Sequence, residues 1–95
     1  MIETYDELLG KTILVGLTYY SANNVFVEQK QVWGKVIKAD ESGIEIQQND
    51  RNIFGLPPDL TAIDCAAPGE YRLKSTGEVV KNPDYLVTYS VTMSD

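Results

Sequence analysis

The middle of the chain contains one long extended run, "VFVEQKQVWGKVIKA" at 25–39, with a glycine inside it. A glycine within a strand costs roughly 0.5–1 kcal/mol relative to alanine, and it is tolerated mainly where a strand bends, bulges or meets another backbone closely. Inside–outside alternation blurs just after Gly34, because Val36 and Ile37 are both apolar. A strand of this length is too long for a flat sheet edge in so small a domain. We therefore predict that it bends at Gly34, beside Trp33, as strands do when a small barrel closes.

Short alternating segments separated by turn residues fill most of the remaining sequence. The segments "KTILVGLTYYS", "IEIQQ" and "YLVTYSVT" alternate, and "SANN", "DESG", "NDRN" and "APGE" are typical of turns. "YRL" and "EVV" flank "KSTG", which predicts a hairpin. Thr4 followed by Glu7 fits a capping box. The sequence thus predicts a single all-β domain over 1–95: a short N-terminal helix at 1–10, then a strongly bent five- or six-stranded barrel at 11–95.

Composition excludes several classes of function. Eight Lys and Arg face fourteen Asp and Glu, so the net charge is −6, which repels nucleic acid and anionic lipid at long range. No run of about 18 apolar residues exists to cross a membrane. The chain has no histidine, which removes histidine general bases, catalytic triads and His-bearing zinc sites. One cysteine and an acidic start without signal-peptide features predict a cytoplasmic setting.

The order of these segments resembles the first motif of Sm-like domains over about residues 5–48: a short helix, "LLGKTILVGL", the bent strand "QVWGKVIKAD", then "GIEIQQ". The segments "GLPPDL", "PGEYRL", "STGEVV" and "PDYL" resemble those of a group of small bacterial proteins with no assigned activity. The Sm-like resemblance implies a small SH3-type barrel that forms rings by pairing edge strands. It also implies an RNA site, in which an aspartate after the bent strand is followed shortly by an asparagine.

Only part of that RNA site is present in this sequence. Asp40 fits the aspartate, but "ESG" follows it, and the arginine-glycine pair of the second motif is missing from "LTAIDCA" and "YLVTYSVT". The remaining candidates for a nucleic-acid site are Trp33, which could stack on bases, and the lysine cluster Lys30, Lys35 and Lys38. The alternative function is therefore an Sm-like ring that binds RNA or single-stranded DNA, although core packing and solvated strand margins also explain these residues.

The closing strand is the main candidate for self-association. It carries no charge, proline or glycine from Tyr85 to Thr92, whereas exposed edges normally carry such residues to prevent unwanted pairing. It is therefore either central in its sheet or paired with another subunit. One face consists of Tyr85, Val87, Tyr89 and Val91, which we take as the candidate oligomer interface.

No residue pattern indicates catalysis. Cys65 has no histidine to activate it and shares a face with Ile63, so we expect a buried structural thiol. Nothing marks a carboxylate pair at glycosidase spacing, and the acidic turns lack a calcium-loop spacing. The sequence predicts no catalytic residue, no cofactor and no metal. The leading hypothesis is a non-catalytic assembly module that self-associates and offers its acidic surface to a basic protein partner.

Overall fold

The computed structural model describes residues 4–74 and 76–93, and more than half of the chain lies in β-strands. The strands of the described residues are, in chain order, β1 (Thr12–Tyr20), β2 (Phe26–Asp40), β3 (Gly43–Gln47), β4 (Ile53–Leu56), β5 (Asp64–Cys65), β6 (Glu70–Arg72), β7 (Val79–Lys81) and β8 (Tyr85–Thr92). Two 3-10 turns, at Tyr5–Leu8 and Leu60–Ala62, complete the regular structure. The prediction of a mostly β protein is confirmed.

Six strands form one mixed sheet in the order β4-β3-β2-β1-β8-β5, and β6 and β7 form a separate antiparallel hairpin. β1 is antiparallel to β2 and parallel to β8, with Ile13 opposite Tyr85 and Tyr20 opposite Thr92. The main sheet has six strands, where the sequence predicts a barrel of five or six. The prediction of a closed barrel is wrong for the described residues, because the end strands β4 and β5 do not pair with each other. β5 is only two residues long, which leaves too short a ladder to close the sheet.

Of the helix predicted at 1–10, residues 1–3 lie outside the described residues, and the described part is only a 3-10 turn at Tyr5–Leu8 and not an α-helix. Thr4 occupies the N-cap position, but its side chain makes no capping hydrogen bond. Gly10, at φ +78°, follows almost at once. One turn cannot repay the cost of nucleating an α-helix, and short segments commonly adopt 3-10 geometry instead. The turn is held by the fully buried Leu8 and by the hydroxyl of Tyr5, which donates to the Pro58 carbonyl oxygen at 3.1 Å.

Gly34 lies where β2 meets the end of β3. A Cβ at this position would lie 2.4 Å from the carbonyl oxygen of Gln47, a distance that real Cβ atoms do not tolerate. The irregularity in the strand falls later, because the register of β2 against β3 shifts between Val36 and Lys38 and leaves Ile37 unmatched and exposed. Close backbone approach thus accounts for the glycine, and a bulge accounts for the two consecutive apolar residues.

Two apolar clusters lie on opposite faces of the sheet. Ile13, Val15 and Leu17 share one face of β1 and belong to the main cluster. The buried members of this cluster are Leu8, Ile13, Val15, Leu17, Val36, Ile44, Ile46, Leu56, Ile63 and Val87. The second cluster consists of Leu14 from the sheet with Leu73 and Val80 from the hairpin region, and Trp33, Tyr71 and Leu86 pack against it. The β6–β7 hairpin therefore covers the second face.

Among the described residues, no helix has the length and apolar character required to cross a membrane.

Candidate functional site at the outer edge of β8

β8 is paired along its whole length on one side but only at its start on the other. β1 accompanies it from Tyr85 to Thr92. On the opposite side, β5 pairs with Tyr85 and Leu86 alone. Within residues 4–74 and 76–93, no strand pairs with the outer side of β8 from Val87 onward. The first predicted possibility, a central position, is met in the strand order, although most of one edge of β8 has no strand partner among the described residues. Pairing with another subunit stays a prediction.

Hydrogen bonds at the two ends of β8 fix which of its backbone groups point outward. The Met93 amide donates to the Tyr20 carbonyl oxygen at 2.8 Å, so odd-numbered residues of β8 face β1. Just before β8 begins, the Asp84 carbonyl oxygen accepts from the Ala66 amide at 3.1 Å on the side away from β1, while the Asp84 amide donates to the Thr12 carbonyl oxygen at 2.9 Å. Because backbone groups alternate in direction along a strand, Thr88, Ser90 and Thr92 direct their N–H and C=O groups outward. We call these groups the β8 edge.

The side chains predicted as an oligomer interface face the protein's own core. Val87 is buried in the main cluster, and Tyr85, Tyr89 and Val91 pack against it while half-buried. What β8 offers to a partner is its backbone edge and the exposed side chains of its even-numbered residues. Sequence reasoning did not identify Thr88, Ser90 and Thr92 as a site, because alternation separates the two faces of a strand but does not show which strands lie beside it. Their lack of charge was the available signal.

An apolar groove runs beside the β8 edge. It has a volume of about 300 Å³ and lies between β8 and β4. Its lining consists of Leu17, Tyr19, Phe54, Gly55, Leu56, Pro57, Tyr89, Ser90 and Val91. The hydroxyl oxygen of Tyr89 is buried and has no hydrogen-bond partner in the described part of the chain. Burial, followed by the charge of Asp59, raises the pKa of this hydroxyl. The groove marks where the sheet stops short of closure.

At the sheet end that holds this edge, β1, the turn after it and β8 carry no charged side chain, and the nearest charges described on the sheet are the paired Glu28 and Lys30 of β2. No Asp, Glu, Lys or Arg occurs in residues 12–27 or 85–93. Tyr20 lies opposite Thr92, so the β1–β2 turn and the end of β8 occupy the same end of the sheet. Val25, Phe26 and Met93 expose 61%, 57% and 42% of their surfaces there. A protein of net charge −6 thus has, on β1 and β8, a partly apolar surface without charged side chains.

The candidate nucleic-acid residues are distributed over both faces of the sheet. Lys30 forms an ion pair with Glu28 at 3.3 Å and lies 5.7 Å from the centre of the Tyr19 ring, and Tyr19 packs on the main cluster. Trp33 packs on the second cluster, on the opposite face. The structure therefore does not bring Trp33 and Lys30 together into one platform.

The remaining residues of that candidate site lie beyond Gly34. Lys35 is exposed and lies opposite Thr12 and Gln47 in the sheet, and Lys38 lies opposite Glu45. Asp40 accepts hydrogen bonds from the hydroxyl and amide of Ser42, which lower the pKa of its carboxyl group. Asp40 therefore holds its own turn. Binding of RNA or single-stranded DNA stays a prediction.

A second, polar cleft lies beside Trp33, with a volume of about 260 Å³. The indole Nε1 donates to Glu78 Oε1 at 2.7 Å, and Asn49 Nδ2 donates to Glu78 Oε2 at 3.2 Å. Its lining consists of Gln31, Val32, Trp33, Gln48, Asn49, Asp50, Leu73, Thr76 and Glu78, with no lysine or arginine among these described residues. The Glu78 carboxylate thereby joins the β6–β7 hairpin to the main sheet.

Cys65 is exposed, so the expectation of a buried structural thiol is wrong. It lies on the two-residue strand β5, which is the end strand of the sheet in the part of the chain that the structure describes. Ile63, which the alternation placed on the same face, is buried just before β5 begins. Among the described residues, no three Cys, Asp or Glu side chains are grouped so that they could hold a metal ion.

The geometry defines the class of the protein as a small β-domain built on an open six-stranded sheet with an unpaired edge. Comparisons of the chain with protein-family models, with curated proteins and with solved structures found no match. Any function must therefore be argued from the edge and its surroundings.

Proposed function

We propose that this protein is a non-catalytic assembly module that associates with further copies of itself by adding a strand at the β8 edge. One observation carries the proposal: the outward N–H and C=O groups of Thr88, Ser90 and Thr92 have no strand partner within the described residues. Unpaired strand edges are templates for pairing with another chain, and main-chain hydrogen bonds supply much of the affinity in such pairing.

The chain protects its other long edge but not this one. The outer side of β2 before Lys35 is also unpaired in the described part of the sheet. That stretch carries Glu28 and Lys30 as an exposed ion pair, and charged side chains are a common device against edge-to-edge association. β8 has no such device between Tyr85 and Thr92. The contrast supports β8 as the edge available for assembly.

Charge distribution supports a second copy as the partner. Two copies of net charge −6 repel each other, and the repulsion is weakest where the approaching surfaces carry no charge. The sheet end formed by residues 12–27 and 85–93 is such a surface, and it exposes Phe26 and Met93 as apolar contacts. The acidic remainder of the surface suits a basic protein partner, which would bind without competing for β8.

Proline substitution on the two unpaired edges tests the proposal. Ser90→Pro removes an outward N–H and leaves the ladder to β1, so the fold should persist while association is lost. Gln29→Pro is the matched control, because the amide of Gln29 also points outward. The Val36 amide donates to the Lys11 carbonyl oxygen, and the Val36 carbonyl oxygen accepts from the Gly10 amide, so even-numbered residues of β2 face β1 and odd-numbered residues face away from it. Light scattering coupled to size-exclusion chromatography, with circular dichroism as the check on folding, measures the mass of each variant.

The expected result is an oligomer for the wild type and Gln29→Pro, and a folded monomer for Ser90→Pro. A wild-type protein that is monomeric at about 100 μM would overturn the proposal, since useful self-association requires a Kd at or below that range. An oligomer that survives Ser90→Pro but dissociates with Gln29→Pro would assign assembly to β2 instead and equally reject the β8 edge.

A further inference from the structure

Two copies of this chain are proposed to join through antiparallel β8 strands related by a twofold axis that passes beside Ser90. This inference rests on the proposed function and specifies its geometry. Identical surfaces that meet across a twofold axis form a closed dimer, whereas a head-to-tail contact between different edges continues into a ring or filament. The symmetric arrangement requires a strand edge that is complementary to itself.

The length of the unpaired edge selects the register. β5 occupies the outer side of β8 at Tyr85 and Leu86, so the available stretch begins at Val87. With Ser90 opposite Ser90 of the second copy, Thr88 lies opposite Thr92 and Val87 lies opposite Met93. The incoming β8, which ends at Thr92 opposite Thr88, then stops short of β5. A shift of two residues toward the start of β8 would place Thr92 of the incoming strand opposite Leu86, which β5 occupies, and a shift the other way would place Thr88 beyond the end of the incoming β8.

This register uses all the outward backbone groups of the β8 edge. Residues of the hydrogen-bonded type in an antiparallel pair exchange both of their N–H···O bonds, so the three pairs formed by Thr88, Ser90 and Thr92 make about six hydrogen bonds. The odd-numbered residues keep their bonds to β1, as the bond from Met93 to Tyr20 shows. No existing ladder has to break when the dimer forms.

The groove beside β8 accommodates the side chains of the incoming strand. In this register Val91 of the second copy lies beside Tyr89, and both lie on the core-facing side of the combined sheet. Tyr89, Ser90 and Val91 already line one wall of the apolar groove of about 300 Å³. Exposed threonine and serine side chains meet on the opposite face, where they need no charged partner. The pairing therefore buries apolar surface and places no like charges opposite each other.

Site-specific cysteine cross-linking in the full chain tests the register. Cys65→Ser removes the one native thiol, which is exposed, and Ser90→Cys then places two thiols opposite each other at a Cα separation of about 5.5 Å, within the range that a disulfide spans. Thr88→Cys alone should not cross-link, because the two copies of residue 88 lie four positions apart, about 14 Å. A mixture of the Thr88→Cys and Thr92→Cys proteins should cross-link, because those positions face each other.

Non-reducing gels after mild oxidation give the result, with Gln29→Cys in the same background as the control for random collision. We expect Ser90→Cys and the mixed pair to form a covalent dimer at least tenfold faster than Gln29→Cys or Thr88→Cys alone. Equal rates for all four samples, or a faster reaction of Thr88→Cys alone, would overturn the register. If the Cys65→Ser protein is a dimer by light scattering but the cross-linking rates do not follow this pattern, the proposed register is wrong and the proposed self-association is retained. If the Cys65→Ser protein is a monomer, both the register and the self-association are rejected.

Discussion

The indole nitrogen of Trp33 on β2 donates a 2.7 Å hydrogen bond to the carboxylate of Glu78, which lies 45 positions further along the chain at the entrance to β7. The same carboxylate accepts from Asn49 at 3.2 Å. Trp33 also packs on the cluster of Leu14, Leu73 and Val80. One acidic side chain therefore fixes the β6–β7 hairpin against the sheet and orients the only tryptophan of the protein.

Removal of that carboxylate should loosen the hairpin. We expect Glu78→Ala to lower the free energy of unfolding by about 1 kcal/mol, because hydrogen bonds to a charged group are lost at an exposed site. Urea denaturation followed by the fluorescence of Trp33 measures it, and the emission of the folded variant should move to the red as the indole gains water.

Glu70→Ala is the matched control on the same hairpin. Glu70 pairs with Lys81 at 3.8 Å with both side chains largely exposed, and such ion pairs contribute little to stability. If Glu70→Ala lowers the free energy of unfolding as much as Glu78→Ala does, the decrease comes from a general effect on the hairpin and not from the indole–carboxylate contact.

The close approach at Gly34 predicts a strong cost for the smallest possible side chain. Gly34→Ala should lower the free energy of unfolding by about 2 kcal/mol, since a Cβ 2.4 Å from the Gln47 carbonyl oxygen forces two backbones apart. Gly55→Ala is the control, because a Cβ there has no neighbour within 4 Å among the described residues and Gly55 does not have a positive φ. That variant should stay within about 0.5 kcal/mol of wild type. Thermal or chemical denaturation that ranks the two equally would contradict the explanation.

The buried hydroxyl of Tyr89 predicts that its removal stabilises the monomer. Tyr89→Phe eliminates a polar oxygen that has no hydrogen-bond partner in the described residues, and we expect the free energy of unfolding to rise by about 1 kcal/mol. Ser90→Pro serves as a monomeric background for this comparison. A decrease in stability would mean that the hydroxyl is satisfied in solution.

The same hydroxyl gives a pH dependence of known sign. Because burial raises the pKa of Tyr89 above its ordinary value of 10.0, the folded state holds this proton more tightly than the unfolded state. The stability that the folded state gains from this tighter proton binding is complete below that ordinary value and is lost as the pH rises through the folded-state pKa. Stability of the wild type should therefore fall more steeply above about pH 10 than that of Tyr89→Phe, as denaturation midpoints across this range would show.

Self-association should strengthen with salt. The contact at β8 is uncharged, whereas the two copies each carry −6, so added salt screens their repulsion without weakening the contact. We expect the dissociation constant, measured by analytical ultracentrifugation, to fall roughly threefold or more between about 0.05 and 0.5 M sodium chloride. Binding to nucleic acid or to a basic partner should weaken over the same range. If salt instead dissociates the oligomer, the interface between copies is held by charged side chains and does not lie at the β8 edge.

Much of the local structure follows from the sequence. Alternation places Ile13, Val15 and Leu17 on one face of β1 because successive side chains of a strand point to opposite sides whatever its neighbours are. The same rule groups the odd-numbered residues of β8 on one face, which the sequence interpretation takes for an oligomer interface, and the turn between "YRL" and "EVV" identifies the β6–β7 hairpin. The glycine at 34 signals a special position in β2. These features depend on residues close together in the chain.

Only the tertiary structure decides which strands become neighbours. The parallel pairing of β8 with β1 joins residues about 72 positions apart, as in the pair of Ile13 and Tyr85, and nothing local encodes it. The two-residue length of β5, which leaves the β8 edge open, follows from the same long-range arrangement. So does the contact that requires glycine at position 34, which is the close approach of the Gln47 backbone. The sequence determines which side chains of a strand share a face because that alternation is local, whereas the face that is buried and the edge that remains unpaired depend on how all the strands share one core.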